Sequence, residues 1–171
     1  MRVRRLVYDA VFLAMAIALG IAESFIPNFV PGVKLGLANV VVLIMLYGFG
    51  VYEAAFVSIL RVFVVALLRG NIFQMPFFMS LAGAIASLLV MFLARHLLKM
   101  LTIYGVSLLG SYFHCLAQCL VAVIFLENWA IMYYFPFMVL LGMATGILVA
   151  FLSERVLKSN ILPSNPSFHA R

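Results

Sequence analysis

The stretch IFQMPFFMSLAGAIASLLVMFLA, Ile72–Ala94, contains no charged side chain and is long enough to cross a lipid bilayer. A transmembrane helix needs roughly 20 predominantly apolar residues, whereas the strands of a membrane barrel alternate apolar and polar positions. Only helices and closed barrels satisfy every backbone polar group in lipid. Because the apolar run is unbroken, it predicts a spanning helix.

Similar runs recur along the whole chain. Hydrophobic residues make up 67% of the sequence and charged residues 9%, whereas a soluble domain carries about 25% charged residues. We therefore predict an all-α membrane protein, a six-transmembrane-helix bundle that passes several times through the cell membrane. The second span is short, so five or seven helices stay open. The predicted spans are Leu6–Ile26, Leu35–Phe49, Val51–Leu68, Ile72–Ala94, Leu101–Leu126 and Ile131–Phe151.

The basic residues predict the orientation of the bundle. Loops on the cytoplasmic side are enriched in lysine and arginine, so both termini are predicted to be cytoplasmic. A cleaved signal peptide is the alternative for the first run, and its removal would leave five spans. The net charge of +6 suits anionic lipid headgroups and does not indicate nucleic-acid binding. Seven basic residues lie on one side of the six-helix arrangement: Arg2, Arg4, Arg5, Arg95, Lys99, Arg155 and Lys158.

The sequence predicts a single domain followed by a short tail. Residues 1–158 are predicted to form a single transmembrane helical domain and residues 159–171 a disordered cytoplasmic tail. Between the first two spans, Pro27–Lys34 contains two prolines and a glycine, which predict a bent outer loop. That loop is either a plain connector or a lid over a site that opens outward.

A few polar side chains interrupt the apolar spans. Polar groups are costly in lipid and usually face a cavity or a partner. Arg61 is the most informative, because a guanidinium stays charged and its burial requires a carboxylate, several carbonyls or an anionic ligand. Either it pairs with Glu53 or Glu23, or it recognises a carboxylate or phosphate. The candidate ligand-binding residues are Lys34, Asn39, Arg61, Arg69, His114 and Gln118.

Several chemistries have no support in the sequence. Asp9 is the single aspartate, whereas a magnesium–diphosphate site needs clustered carboxylates. There is no nucleotide-binding glycine loop. Cys115 and Cys119 lie one helical turn apart and either pack as small hydrophobes or join His114 in a metal pair. We predict that the chain is not an enzyme and takes neither a metal nor a cofactor.

The first helix carries alanines at intervals of four, Ala10, Ala14, Ala18 and Ala22. Such a stripe lets two helices approach closely in lipid. It serves either internal packing or the docking of a membrane partner.

Two stretches are specific enough to indicate a family: PGVKLGLAN, Pro31–Asn39, followed by SILR, Ser58–Arg61, and HCLAQ, His114–Gln118, followed by YYFP, Tyr133–Pro136. They resemble the family labelled heptaprenyl diphosphate synthase component I, also called the Gx transporter family. That family is similar to the substrate-binding S components of energy-coupling-factor (ECF) transporters. This resemblance implies a ligand pocket toward the outer face, partnership with a membrane T subunit and two cytoplasmic ATPases, and docking through the alanine stripe.

The two labels imply different functions. We expect a substrate-binding subunit of an ECF-type importer for a small anionic vitamin or an isoprenoid or quinone precursor. The alternative is a non-catalytic membrane subunit, component I, that partners a long-chain prenyl diphosphate synthase through the basic loop Arg95–Lys99. An autonomous carrier is a third possibility, although clear inverted repeats are not evident.

Overall fold

The computed structural model describes residues 2–23, 25, 34–98 and 100–159. Within these ranges the chain contains α-helices, one 3-10 helix and no strand, which confirms the predicted all-α class. Five helices are long and apolar enough to cross a membrane, and a sixth is shorter. The elements are α1 (Arg2–Glu23), α2 (Asn39–Gly48), α3 (Val51–Leu68), α4 (Met75–Leu97), α5 (Ile103–Leu126), the 3-10 helix (Trp129–Tyr134) and α6 (Phe135–Lys158).

Several predicted boundaries differ from the observed ones. Helix α1 begins at Arg2 rather than Leu6, and α6 extends from Phe135 to Lys158 rather than from Ile131 to Phe151, because the 3-10 helix precedes it.

Two further boundaries have local backbone reasons. Helix α2 begins at Asn39 rather than Leu35, because Gly36 takes a left-handed conformation with a φ of 84°. Its 10 residues extend about 15 Å, half of the roughly 30 Å of hydrocarbon. Helix α4 begins at Met75 rather than Ile72, because Phe73 has a φ of 60° and Pro76 starts the first turn.

The short helix α2 occupies the centre of the bundle. Its residues from Asn39 to Leu46 are all buried, and it packs against α1, α3, α4 and α6. A helix that is apolar on every side is stable only when other elements surround it. The longer helices provide that cover, since α1 packs on α3, α3 on α4, α4 on α5 and α5 on α6.

Glycines bring α5 close to both of its neighbours. A Cβ atom added to Gly110 would lie 2.6 Å from Cγ of Met91 in α4, and one added to Gly142 of α6 would lie 2.5 Å from Sγ of Cys115. Neither distance is compatible with a side chain. Small residues at such crossings let helix backbones approach closely in a membrane.

The outward faces of the bundle are apolar. Leu67, Ile124 and Leu140 are each more than 60% exposed, and a soluble monomer rarely exposes a contiguous apolar patch of more than a few hundred Å². Trp129 and Tyr133 are exposed on the 3-10 helix, as the amphipathic rings of an interfacial belt would be. The chain therefore has the surface of a multi-pass membrane protein.

Some predicted features lie outside the described residues. These are most of the outer loop, at positions 26–33, and the tail from position 160 onward. The helices nevertheless define two ends. We call the end where α1 finishes and α2 starts the site end, and the end that carries His96, Arg155 and Lys158 the basic end.

Candidate functional site

The four residues that lead into α2, Lys34–Leu37, form an irregular segment whose backbone is bonded by distant side chains. Gln118 of α5 accepts from the N–H of Lys34 at 2.9 Å and donates from Nε2 to the Lys34 carbonyl at 3.2 Å. The Thr145 hydroxyl of α6 donates to the Leu35 carbonyl at 2.9 Å. Non-helical backbone is tolerated at membrane depth only when such partners satisfy it.

Glu23 completes the bonding of this segment from the end of α1. Its Oε1 atom accepts from the N–H of Gly36 and, at 3.3 Å, from the N–H of Leu37. The side chain is only 2% exposed. A buried carboxylate is stabilised by backbone donors of this kind, so Glu23 fixes the entry into α2 as well as bringing a negative charge inside.

A small cavity lies beside the segment, between α1, α3, α4 and α5. Its volume is about 20 Å³, which is room for about one water molecule. Its lining combines charged and polar side chains with two valines of α3. The lining residues are Gly20, Glu23, Lys34, Gly36, Arg61, Val62, Val65, Ser80 and His114.

Arg61 enters this cavity from the middle of α3 and is 6% exposed. No described residue accepts a hydrogen bond from its Nε atom. Glu23 acts on the guanidinium electrostatically, without forming an ion pair within the described residues. Glu53 lies in the first turn of α3, eight residues before Arg61 and therefore about 12 Å along the axis. Neither carboxylate forms the close structural pair that the sequence left open.

His114 and Gln118 share a face of α5, as their spacing predicts, and hydrogen-bond to each other. The imidazole lies against Gly83 of α4, since a Cβ atom added to Gly83 would stand 2.8 Å from Cε1 of His114. A Cβ atom added to Gly36 would stand 3.5 Å from Cδ2 of the same ring, so the irregular segment borders the ring at its other edge. His114 therefore lies between the irregular segment and α4.

The structure brings together most of the predicted ligand-binding residues. Lys34, Arg61 and His114 line the cavity. Asn39 and Gln118 are buried next to it, and the Gln118 amide bonds to the main chain. Arg69 does not line the cavity and is exposed after the last residue of α3, although its charge still acts on Lys34.

The sequence did not point to Ser80, Gly36 or Thr145 as part of this region. Ser80 lies on the cavity wall and donates to the Pro76 carbonyl at 2.7 Å. A single serine or threonine in an apolar helix bonds its own helix so often that it carries little signal. Only the long-range contacts of the folded chain identify these residues.

Lys34 lines the cavity and is half-buried. Burial, and then the nearby charge of Arg61, lower the pKa of Lys34 from 10.5 to about 8. The ammonium is therefore charged at neutral pH but releases its proton far more readily than a solvated lysine.

The alanine stripe of α1 faces away from the bundle. Ala10, Ala14, Ala18 and Ala22 are all exposed, while Phe12 on the opposite face is buried. Internal packing was therefore the wrong alternative for this stripe. Docking of a partner stays a prediction.

The two cysteines are buried free thiols. Sγ of Cys119 lies 3.5 Å from Sδ of Met132. Among the residues that the structure describes, no group of three His, Cys, Asp or Glu side chains is placed to hold a metal. The thiols pack as small, polarizable hydrophobes.

The helices and the enclosed polar site define a multi-pass α-helical membrane protein with a charged cavity near one end. The chain belongs to the family described as heptaprenyl diphosphate synthase component I, whose family model matches residues 12–156. That family membership was predicted from the motifs and is confirmed. No curated protein and no solved structure matches the sequence, so the likeness to ECF S components stays a prediction.

Proposed function

We propose that this chain is a non-catalytic membrane subunit that partners a long-chain prenyl diphosphate synthase. The family description carries the proposal, because the match extends over residues 12–156 and hence over nearly the whole helical bundle. Asp9 is the single aspartate of the chain. The magnesium-binding carboxylates that diphosphate chemistry needs would come from the partner.

The subunit would hold the synthase at the bilayer, where a long apolar product belongs. We assign the contact to the basic end of the bundle. There Tyr104 at the start of α5 donates to Glu154 of α6 at 2.9 Å, which joins the two helix ends. Arg155 and Lys158 are exposed beside them. With both termini in the cytoplasm, this end would face a soluble partner.

The predicted contact through Arg95–Lys99 needs refinement. Arg95 donates to the Leu46 carbonyl at the end of α2, and its guanidinium lies 4.4 Å from the centre of the Tyr47 ring. Arg95 therefore stabilises the C-terminus of the short helix. Lys99, the other basic residue of this loop, lies outside the described residues. His96, which follows Arg95, is exposed and joins the proposed contact.

Co-purification from native membranes tests this role. A tagged chain should retain a prenyl diphosphate synthase, and the double variant Arg155→Gln/Lys158→Gln should retain less. Arg69→Gln, at the site end, is the matched control and should retain the wild-type amount. Equal loss in the control, or no synthase with the wild-type chain, would contradict the proposal.

The second candidate is the substrate-binding subunit of an ECF-type importer. The exposed alanine stripe supports it, since an outward-facing row of small residues on α1 suits close docking of another membrane helix. The cavity would then hold a small anionic vitamin or an isoprenoid or quinone precursor. Co-purification of ATPases and a T subunit, lost in Ala14→Leu but kept in Val11→Leu, would favour this candidate.

A further inference from the structure

The cavity holds unequal numbers of positive and negative groups. Arg61 and Lys34 contribute two positive charges, and Glu23 contributes one negative charge. With His114 counted as neutral, the lining residues that the structure describes leave one positive charge without compensation. The carboxylate of Glu23 is further occupied by the two amide donors of Gly36 and Leu37.

An uncompensated charge is expensive in this position. Moving an ion out of water costs several kcal/mol even in a relaxed protein interior, so buried charges normally have close partners. Within the membrane, an ionisable group without such a partner marks a pathway or a ligand site. The 6% exposure of Arg61 places it in this category.

Arg61 also has hydrogen-bonding capacity to spare. Its Nε donor has no acceptor among the described residues. Ser58, three residues earlier on the same face of α3, likewise has a buried hydroxyl without a hydrogen bond inside the described chain. A guanidinium is suited to the planar oxygens of a carboxylate and to phosphate.

We propose that the cavity binds the acid group of a small molecule, a carboxylate or a phosphate, with Arg61 as its buried anchor and the half-buried Lys34 as a second cation. The 20 Å³ volume admits only the acid oxygens next to Arg61, so the rest of the molecule lies outside this cavity. Binding of an acid group would be a second function of the chain, beyond its proposed role as a synthase subunit. It also supplies the ligand class for the importer candidate.

Thermal unfolding of the detergent-purified protein tests the site with acetate and inorganic phosphate as probes, against sodium chloride at equal ionic strength. A probe at ten times its Kd should raise the Tm of the wild type by about 3–6 °C. Stabilisation by acetate alone identifies a carboxylate site, and stabilisation by phosphate alone a phosphate site. If neither probe acts on the wild type, the proposal is overturned.

Variants of Arg61, Lys34 and Arg69 show whether the anion-induced rise in Tm comes from binding in this cavity. Arg61→Gln should abolish it, Lys34→Gln should reduce it, and Arg69→Gln should keep it. Without a probe, Arg61→Gln should have a Tm at or above that of the wild type, because the variant no longer buries an uncompensated charge. If Arg61→Gln has a lower Tm and acetate or phosphate still raises its Tm as much as in the wild type, Arg61 has a structural role instead.

The anion-binding test does not depend on whether the chain partners a prenyl diphosphate synthase. Arg61→Gln should still retain the prenyl diphosphate synthase in co-purification, since Arg61 lies inside the site end of the bundle. Retained synthase with no anion effect in the wild type would overturn the acid-group site alone. An anion effect without any synthase would overturn the proposed function alone.

Discussion

One amide side chain of α5 bonds both polar backbone groups of a residue 84 positions away. Gln118 accepts from the N–H of Lys34 at 2.9 Å and donates to its carbonyl at 3.2 Å. This pair of bonds replaces the ladder that a regular helix would supply to these two backbone groups. It also fixes the backbone from which the Lys34 side chain reaches the cavity.

Gln118→Leu should remove both hydrogen bonds to the Lys34 backbone and make the Lys34–Leu37 segment more mobile. The substitution leaves a donor and an acceptor of Lys34 without partners, at a cost of about 1–3 kcal/mol for each orphaned group. Hydrogen exchange of the Lys34–Leu37 amides should therefore speed up by about tenfold or more. Gln74→Leu, at an exposed position before α4, should leave the exchange unchanged. Equal exchange in both variants would contradict the assigned role of Gln118.

Gly83→Ala should disturb the site through His114. The new methyl group would stand 2.8 Å from the imidazole, which is itself held between α4 and the Gly36 backbone. Overpacking of this kind should lower the free energy of unfolding by about 1–3 kcal/mol. Gly105→Ala is the matched control, because its Cβ would meet Leu101, whose flexible Cδ2 atom is the nearest at 3.0 Å. A smaller loss at Gly83 than at Gly105 would show that the ring moves freely.

Glu23→Gln should strengthen anion binding while weakening the protein without a ligand. The amide oxygen keeps an acceptor for the Gly36 and Leu37 N–H groups, but the negative charge facing Arg61 is lost. The expected result is a lower Kd for the stabilising anion and a lower Tm in its absence. Glu127→Gln, exposed after α5, serves as the control. A higher Kd in Glu23→Gln would refute this electrostatic account.

The titration of Lys34 gives the site a pH dependence. Burial, followed by the charge of Arg61, lowers the pKa of Lys34 to about 8, whereas the unfolded chain keeps its proton up to about 10.5. Since the unfolded state then binds more protons, the stability of the wild type should rise between pH 8 and 10.5. Anion binding should weaken over the same range, because the ammonium becomes neutral.

Lys34→Gln isolates this effect. The difference in Tm between the wild type and Lys34→Gln should change in favour of the wild type as the pH passes 8. Parallel profiles of the two proteins would show that Lys34 titrates as a solvated lysine.

The sequence predicted the long helices because an unbroken apolar run of spanning length can satisfy its backbone polar groups in lipid only as a helix. It did not predict the length of α2. Residues Leu35 to Ala38 are as apolar as the helix that follows, and what keeps them irregular is Glu23, Gln118 and Thr145, which are distant in sequence. Composition carries no information about such partners.

Arg61 in α3 and Arg69, which follows the last residue of α3, show the same limit in the site. Both were predicted to bind the ligand, Arg61 from the middle of its span and Arg69 from the end. Eight residues correspond to a rotation of about 80° around the helix and bring Arg69 to its end. Arg61 is consequently buried in the cavity and Arg69 is exposed.

Native mass spectrometry of the tagged chain, gently extracted from its own membrane, tests the proposed function most directly. The account predicts the mass of a complex between this chain and a prenyl diphosphate synthase. A complex with a membrane T subunit and ATPases, and without a synthase, would contradict it and establish the importer instead.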